Sequence, residues 1–216
     1  SGDSAAEAKY KITPKEVHEL LGQRKYSLDE VKSRPARGCA TGMAWTSYGG
    51  TILTVETTMM PGKGLLKLTG SLGNVMKESA ETAFSYVRAH ARHYNINKDV
   101  FEQNDFHIHV PDGATPKDGP SAGITIVTAL VSLLTRKRVR PRLSMTGEIT
   151  LSGKVTAIGG LKEKSVAALR AGIKTVIMPK ENEKDLEEIP EYKEDLKKTL
   201  TRNSGGSTQF SGIYYG

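Results

Sequence analysis

The sequence predicts an α+β domain, and three observations point to it. Short β-rich runs such as Thr51–Thr58 and Phe106–Val110 show period-two alternation. Longer stretches at 72–94 and 161–171 carry apolar residues at helical spacing. Strands and helices are interleaved without a regular βαβ rhythm and without an internal repeat, which predicts mixed sheets packed with helices in one compact domain.

Taken in order, Thr13-Pro14-Lys15-Glu16 opens a short helix, with Thr13 as its cap and Pro14 in its first turn. Met43–Thr46 and Thr51–Thr58 form strands joined at Gly49-Gly50 as a hairpin. Pro61–Gly64 is a loop and Leu65–Thr69 a short strand. Leu72–Tyr94 is the longest helix, presenting Leu72, Val75, Met76, Ser79, Ala80, Ala83, Val87 and Ala91 on one face. Phe106, Ile108 and Val110 alternate with His107 and His109 along a strand.

Ser121–Leu134 is apolar almost all round and reads as the central buried helix. A hairpin follows, Leu143–Leu151 against Val155–Ile158 around Ser152-Gly153. Leu161–Ala171 is a helix closed by Gly172, burying Leu161, Ser165, Ala168, Leu169 and Gly172. Lys174–Met178 is a buried strand stopped by Pro179, and Asn182–Ile189 a charged surface helix. The domain is expected to span 11–202. Residues 1–10 read as a linker or expression remnant, and the uncharged Gly/Ser-rich 203–216 as a flexible extension carrying Phe210, Tyr214 and Tyr215. With Met43 the first methionine, the chain is expected to begin inside a longer protein or to be processed.

At 216 residues the chain is long enough for one good-sized core. Its net charge of +7 reads as scattered, a solubility feature, with no aromatic–basic interleaving of the kind that binds single strands; no nucleic-acid partner is expected. The single cysteine, Cys39, excludes an internal disulfide and a cysteine metal cluster. It fits a reducing compartment, the cytoplasm or, in a eukaryote, the mitochondrial matrix. No apolar run reaches the ~18 residues of a membrane span, so no membrane partner is expected.

The chemistry concentrates in two segments. Pro116-Lys117-Asp118-Gly119-Pro120-Ser121-Ala122-Gly123 places a serine on a tight turn where the apolar helix begins. Pro120 fixes the local backbone and Gly119 permits a sharp approach. Helix starts leave N–H groups unpaired, and an acyl-transfer oxyanion needs such donors; the Ser121 N–H, with one from the Lys117–Gly119 turn, would supply them. Forty-three residues on from Ser121, Gly159-Gly160-Leu161-Lys162-Glu163-Lys164 opens another helix with lysines. A neutral buried lysine can take the proton from a serine hydroxyl, so the pair reads as a serine–lysine hydrolase. Taken alone, Ser121 equally fits a plain helix cap. Lys162 and Lys164 flank the buried stripe on opposite sides, so periodicity does not choose between them.

Other chemistries fit less well. A phosphate-binding P-loop needs four residues between its glycines and a Lys-Ser/Thr ending; five residues separate Gly113 from Gly119, and Pro120 follows. His107 and His109 share one strand face without a third ligand at a recognised spacing, and read as structural.

The chain resembles the proteolytic domain of the ATP-dependent Lon proteases, from Leu21 to about Pro190. The segments that carry the resemblance are Gly42–Thr46, Val55–Thr57, Pro61–Gly64, Thr69–Gly73, Val75–Ser79, His107–Pro111, Gly113–Gly123, Met145–Thr150 and Gly159–Lys164. Their wording is closest to the A-type proteins, in which this domain follows an AAA+ ATPase module. The resemblance implies Ser121 as nucleophile, Lys164 rather than Lys162 as general base, and Thr146 as a hydroxyl that orients the lysine. It implies a gate at Asp118, since the matching aspartate lies near the lysine in inactive forms. Gly119 and Pro120 support the turn, Trp45 and Glu56 read as structural or interface residues, and Glu148 is a candidate for pairing near the interface. It also implies endopeptidase action on misfolded and regulatory proteins, a hexameric ring, no cofactor in this domain, and ATP and Mg confined to a module outside this chain. The 203–216 tail departs from the family pattern, which has a further strand and short helix there.

Two alternatives stay open: a Lon-like assembly scaffold that has lost catalysis, and a nucleic-acid binder on a similar α+β fold. The Ser121, Lys164 and Thr146 set argues against the first, and the second rests on charge and fold analogy.

Overall fold

A computed structural model describes residues 35–46, 49–111 and 116–188. The Thr13–Glu16 helix, the 1–10 linker and the 203–216 tail lie outside the described residues. The chain runs β1 (Cys39–Thr46), β2 (Gly49–Pro61), β3 (Leu66–Thr69), α1 (Asn74–Ala89), a 3-10 turn (Ala91–Tyr94), α2 (Val100–Gln103), β4 (Asn104–His109) and α3 (Gly123–Thr135). It continues with β5 (Leu143–Met145), β6 (Glu148–Ile149), β7 (Val155–Thr156), α4 (Leu161–Arg170), β8 (Thr175–Ile177) and a 3-10 segment (Lys180–Glu188).

Six strands make one mixed sheet in the order β3-β4-β2-β1-β5-β8, while β6 and β7 form a separate antiparallel pair. β2 is long enough to serve two neighbours, pairing antiparallel with β1 along its first half and with β4 along its second, the change falling at Glu56. β3, β5 and β8 add in parallel. Alternation along β1 sends Ala40 to the main core under α1 and α3, and Met43 to a second core with Ala168, Ile173 and Val176. Helices α1 and α3 thus cover one face of the sheet, and α4 the other face of β1 and β2.

α3 is the centre of the domain, with Gly123 through Ser132 all buried. A helix apolar all round needs partners on every side, and α1, β1, β2, β5 and β6 provide them. Phe84, Phe101 and Phe106 pack edge-on and stacked where α1, α2 and β4 meet.

Several expectations are corrected. Gly49-Gly50 belongs to β2, in register with Thr46 and Trp45, so these glycines are strand residues rather than the turn. The long helix divides into α1 and a 3-10 turn, broken at His90. Val75 is exposed at the α1 start, and the buried stripe widens to Phe84 and Tyr86 instead. The expected Leu143–Leu151 strand breaks at Thr146-Gly147. There the Thr146 N–H donates to Ile177 O and the Gly147 N–H to Ser121 O, so this backbone binds β8 and the α3 turn rather than continuing a ladder. The α4 helix is rolled so that Lys164 and Ala167 face inward while Leu169 and Gly172 are exposed. The charged segment expected as a helix from Asn182 starts at Lys180 and is wound in the tighter 3-10 form, with Asn182 turned inward.

The charge is also less scattered than expected. Arg136, Lys137, Arg138, Arg140 and Arg142 are all exposed around the buried Val139, so the connection from α3 to β5 presents a basic surface.

Gly123 shows how closely α3 is seated. A Cβ there would lie 2.9 Å from Ile149 N and 3.0 Å from its Cγ2. Gly123→Ala is expected to destabilise the fold by about 1–3 kcal/mol by pushing α3 off β6, a loss of several degrees in thermal unfolding. An unchanged melting temperature would show that the two elements separate freely.

Candidate functional site

The turn before α3 is built from backbone bonds. Gly119 has φ of +111°, a conformation that favours glycine, although its missing side chain would meet open space; the requirement is conformational, not steric. The Pro120 carbonyl accepts from Ser79 Oγ on α1 (3.1 Å) and from the Gly123 N–H (3.2 Å). The Ser121 carbonyl accepts from the Gly147 N–H (2.8 Å), and the Gly147 carbonyl from the Ile124 N–H (3.1 Å). The serine is therefore stitched on one side to α1 and on the other to the segment after β5. It lies in the turn before the helix, whose N-cap position is Ala122, so the helix-cap reading of Ser121 does not hold.

Lys164 enters from the opposite face of the sheet. Its helix begins at Gly160, in the left-handed conformation (φ 68°), where a Cβ would strike the Trp45 ring at 2.9 Å. A Cβ at Gly50 would fall 2.0 Å from Glu163 O, so the start of β2 also lies directly on the first turn of α4. Seated in this way, Lys164 is 3% exposed, whereas Lys162 is exposed.

The Lys164 Nζ lies 3.0 Å from Ser121 Oγ and 3.1 Å from Thr146 Oγ1. Thr146 is fully buried, and its hydroxyl also approaches the Ser121 carbonyl at 3.5 Å. Burial lowers the Lys164 pKa from the ordinary lysine value to about 8. The structure thus brings together Ser121, Lys164 and Thr146 from three distant segments.

Asp118 is placed elsewhere. Its Oδ1 accepts from the Met76 N–H (2.9 Å) and the Gly119 N–H (2.8 Å), capping α1, whose own N-cap Gly73 has no side chain. Among the turn donors considered for an oxyanion, the Lys117 N–H is spent on Ser71 O and the Gly119 N–H on Asp118. Among the described residues no acceptor is bonded to the Ser121 N–H.

His107 and His109 share Thr69 Oγ1, at 2.8 and 2.7 Å, on the sheet face away from the main core. Burial, then Lys67 and His109, hold the His107 pKa below the usual histidine range. Glu148 accepts from Thr156 Oγ1 within the β6–β7 pair, at 3.2 Å. Trp45 is largely exposed above Gly160. Sequence reasoning missed three supports of the site: Ser79, Gly147 and Asn182. Ser79 was placed in the apolar stripe, and its polarity in that stripe was the available signal. The bonds of Gly147 and Asn182 leave no periodic trace.

The Lon protease (S16) C-terminal proteolytic domain family matches residues 11–205. The Lon protease of Clostridium acetobutylicum is 54% identical over 179 residues, covering 83% of this chain and 23% of that protein. The Lon protease of Desulfosudis oleivorans is 58% identical over 179 residues, 83% of this chain and 22% of its own length. That of Parabacteroides distasonis is 56% identical over 187 residues, 86% of this chain and 23% of that protein. The chain spans under a quarter of the length of these curated relatives. With the family match covering most of the sequence, the chain belongs to the Lon protease (S16) C-terminal proteolytic domain family.

Proposed function

We propose that this chain is a serine endopeptidase unit in which Ser121 is the nucleophile and Lys164 the general base and acid. One observation carries the reading: a buried amine, its pKa lowered to about 8, within 3.0 Å of the serine hydroxyl. The neutral Lys164 amine donates to Thr146 Oγ1 and turns its lone pair to the Ser121 O–H. Thr146 is accordingly an orienting hydroxyl.

Ser121 Oγ forms a bond to the substrate carbonyl carbon as its proton passes to Lys164 Nζ. The Ser121 N–H, bonded to no acceptor among the described residues, would stabilise the oxyanion. Collapse breaks the C–N bond, and Lys164 returns the proton to the leaving amine. A water then gives its proton to Lys164 and attacks the acyl-enzyme. The C–Oγ bond breaks, and Ser121 recovers its proton.

The reading extends to the family's wider setting. Unfolded proteins and peptides are the substrates, ATP and Mg act in a separate ATPase module, and the units assemble as a hexameric ring in a reducing compartment. Gly119 and Pro120 shape the nucleophile turn. A gating role for Asp118 requires its carboxylate to leave the α1 cap and reach Lys164, where it would hold the lysine charged.

Three outcomes are expected. Ser121→Ala and Lys164→Ala each lower casein and fluorogenic-peptide hydrolysis by about 10³-fold or more, while EDTA leaves the wild type active. Survival of activity in Ser121→Ala would sink the assignment. The kcat/KM for a peptide rises with pH and levels off above about 8, because only the neutral lysine accepts a proton; a flat profile between pH 6 and 9 would exclude Lys164 as base.

The third outcome concerns stability. Between about pH 8 and the ordinary lysine value the unfolded chain holds a proton that the folded chain has released, so the Lys164 contribution to stability rises with pH across that window and is constant below it. Lys164→Met removes the slope and stabilises the inactive domain at pH 7 by about 1–3 kcal/mol in urea unfolding. A destabilised Lys164→Met variant would show that the amine is not penalised by burial.

A further inference from the structure

The loop that leads into α4 has a side-chain partner outside the reacting set. Asn182 is 2% exposed and lies in the 3-10 segment after β8. Its Oδ1 accepts from the Ile158 N–H at 3.0 Å, and its Nδ2 donates to the Ile158 carbonyl at 2.8 Å. It thereby satisfies both backbone groups of one residue, as a neighbouring strand would. The Nδ2 also donates to Asp185 Oδ2 at 2.6 Å, and the Asn182 N–H donates to Pro179 O at 3.0 Å.

These bonds close a circuit around the site. The Thr146 N–H is held by Ile177 O at the end of β8, Pro179 and Asn182 follow, Asn182 grips Ile158, and two residues later Gly160 O accepts the Lys164 N–H at 3.0 Å. Trp45 and Gly50 press on the first turn of α4 from β1 and β2, and Leu186 packs the 3-10 segment onto the second core. Without Asn182 the first turn would be seated by these packing contacts alone, with Ile158 left to find other partners.

We infer that Asn182 is a positioning residue for the proposed base: its carboxamide fixes the 157–160 loop and, through it, the distance from Lys164 Nζ to Ser121 Oγ and Thr146 Oγ1. The inference rests on the reading of Lys164 as base. A purely structural asparagine would contribute stability and leave the chemistry of correctly folded molecules unchanged.

The test compares Asn182→Ala and Asn182→Leu, the second keeping bulk in the site without its hydrogen bonds, in this chain alone and in the same chain joined to a Lon ATPase module. Lys154→Ala is the control, because it breaks only the exposed 3.7 Å ion pair to Glu181 on the same segment. Rates are taken per active site, counted with a serine-directed fluorophosphonate. The expected result is a fall in kcat of about tenfold or more with KM within about twofold, and a rise of half a pH unit or more in the kcat/KM midpoint, as a loosened lysine becomes better solvated. Lys154→Ala behaves as the wild type.

Wild-type kcat per site and an unmoved midpoint in the Asn182 variants would overturn the inference, as would failure of both variants to fold. A second readout is independent of turnover. The NMR titration of isotopically methylated Lys164, identified by its absence in Lys164→Met, is followed in the Ser121→Ala background with and without each Asn182 change. A midpoint that stays put refutes the role of Asn182. Peptidase activity that survives Ser121→Ala refutes the nucleophile assignment instead, so the two failures are told apart.

Discussion

Lys164 is 3% exposed and its amine stands 3.0 Å from Ser121 Oγ, and most of what surrounds it keeps that arrangement in place. Burying an amine is unfavourable while it is charged. The fold accepts this by covering α4 with a second core of Met43, Ala168, Ile173 and Val176 and by setting the bare backbone of Gly50 and Gly160 against neighbours that leave no room for a side chain. The helix cannot roll to return its lysine to water without losing those contacts.

The serine is held by a different device. Most bonds that fix the Ser121 turn are made by backbone: Gly147 N–H to Ser121 O, Ile124 N–H to Gly147 O, and Gly123 N–H to Pro120 O, with Ser79 Oγ and Thr146 Oγ1 adding side-chain support. Main-chain bonds on a turn anchored to a fully buried helix place an atom with little rotameric freedom. The lysine is positioned by packing and the serine by backbone pairing, and the two meet at 3.0 Å. Asp118 contributes at one remove, capping α1 so that Ser79 stands where Pro120 needs it.

How much of this was legible in the sequence depends on the kind of signal. The α+β class, the central apolar helix and the β4 alternation were readable, because burial imposes a period on side chains. Ser121, Lys164 and Thr146 were readable as candidates through the motifs, but periodicity placed both lysines beside the buried stripe, and only the resemblance chose Lys164. The roll of α4 that exposes Leu169 and buries Lys164 follows from contacts with Gly50 and Trp45, more than a hundred residues away in sequence. The break of the expected strand at Thr146-Gly147 was illegible for a similar reason, since its backbone is claimed by Ser121 and Ile177 and no residue type announces that. Asn182 looked like part of a charged surface helix because its neighbours are acidic and its inward bonds go to another residue's backbone.

Burial lowers the Lys164 pKa, so on the proposed reading the activating property does not belong to the lysine as a residue but to the finished packing around it. An incompletely folded chain carries the same serine and the same lysine, yet its lysine is solvated, charged and unable to take a proton at neutral pH. If Ser121 and Lys164 act as proposed, a newly made chain would stay inactive until the packing around its lysine is complete.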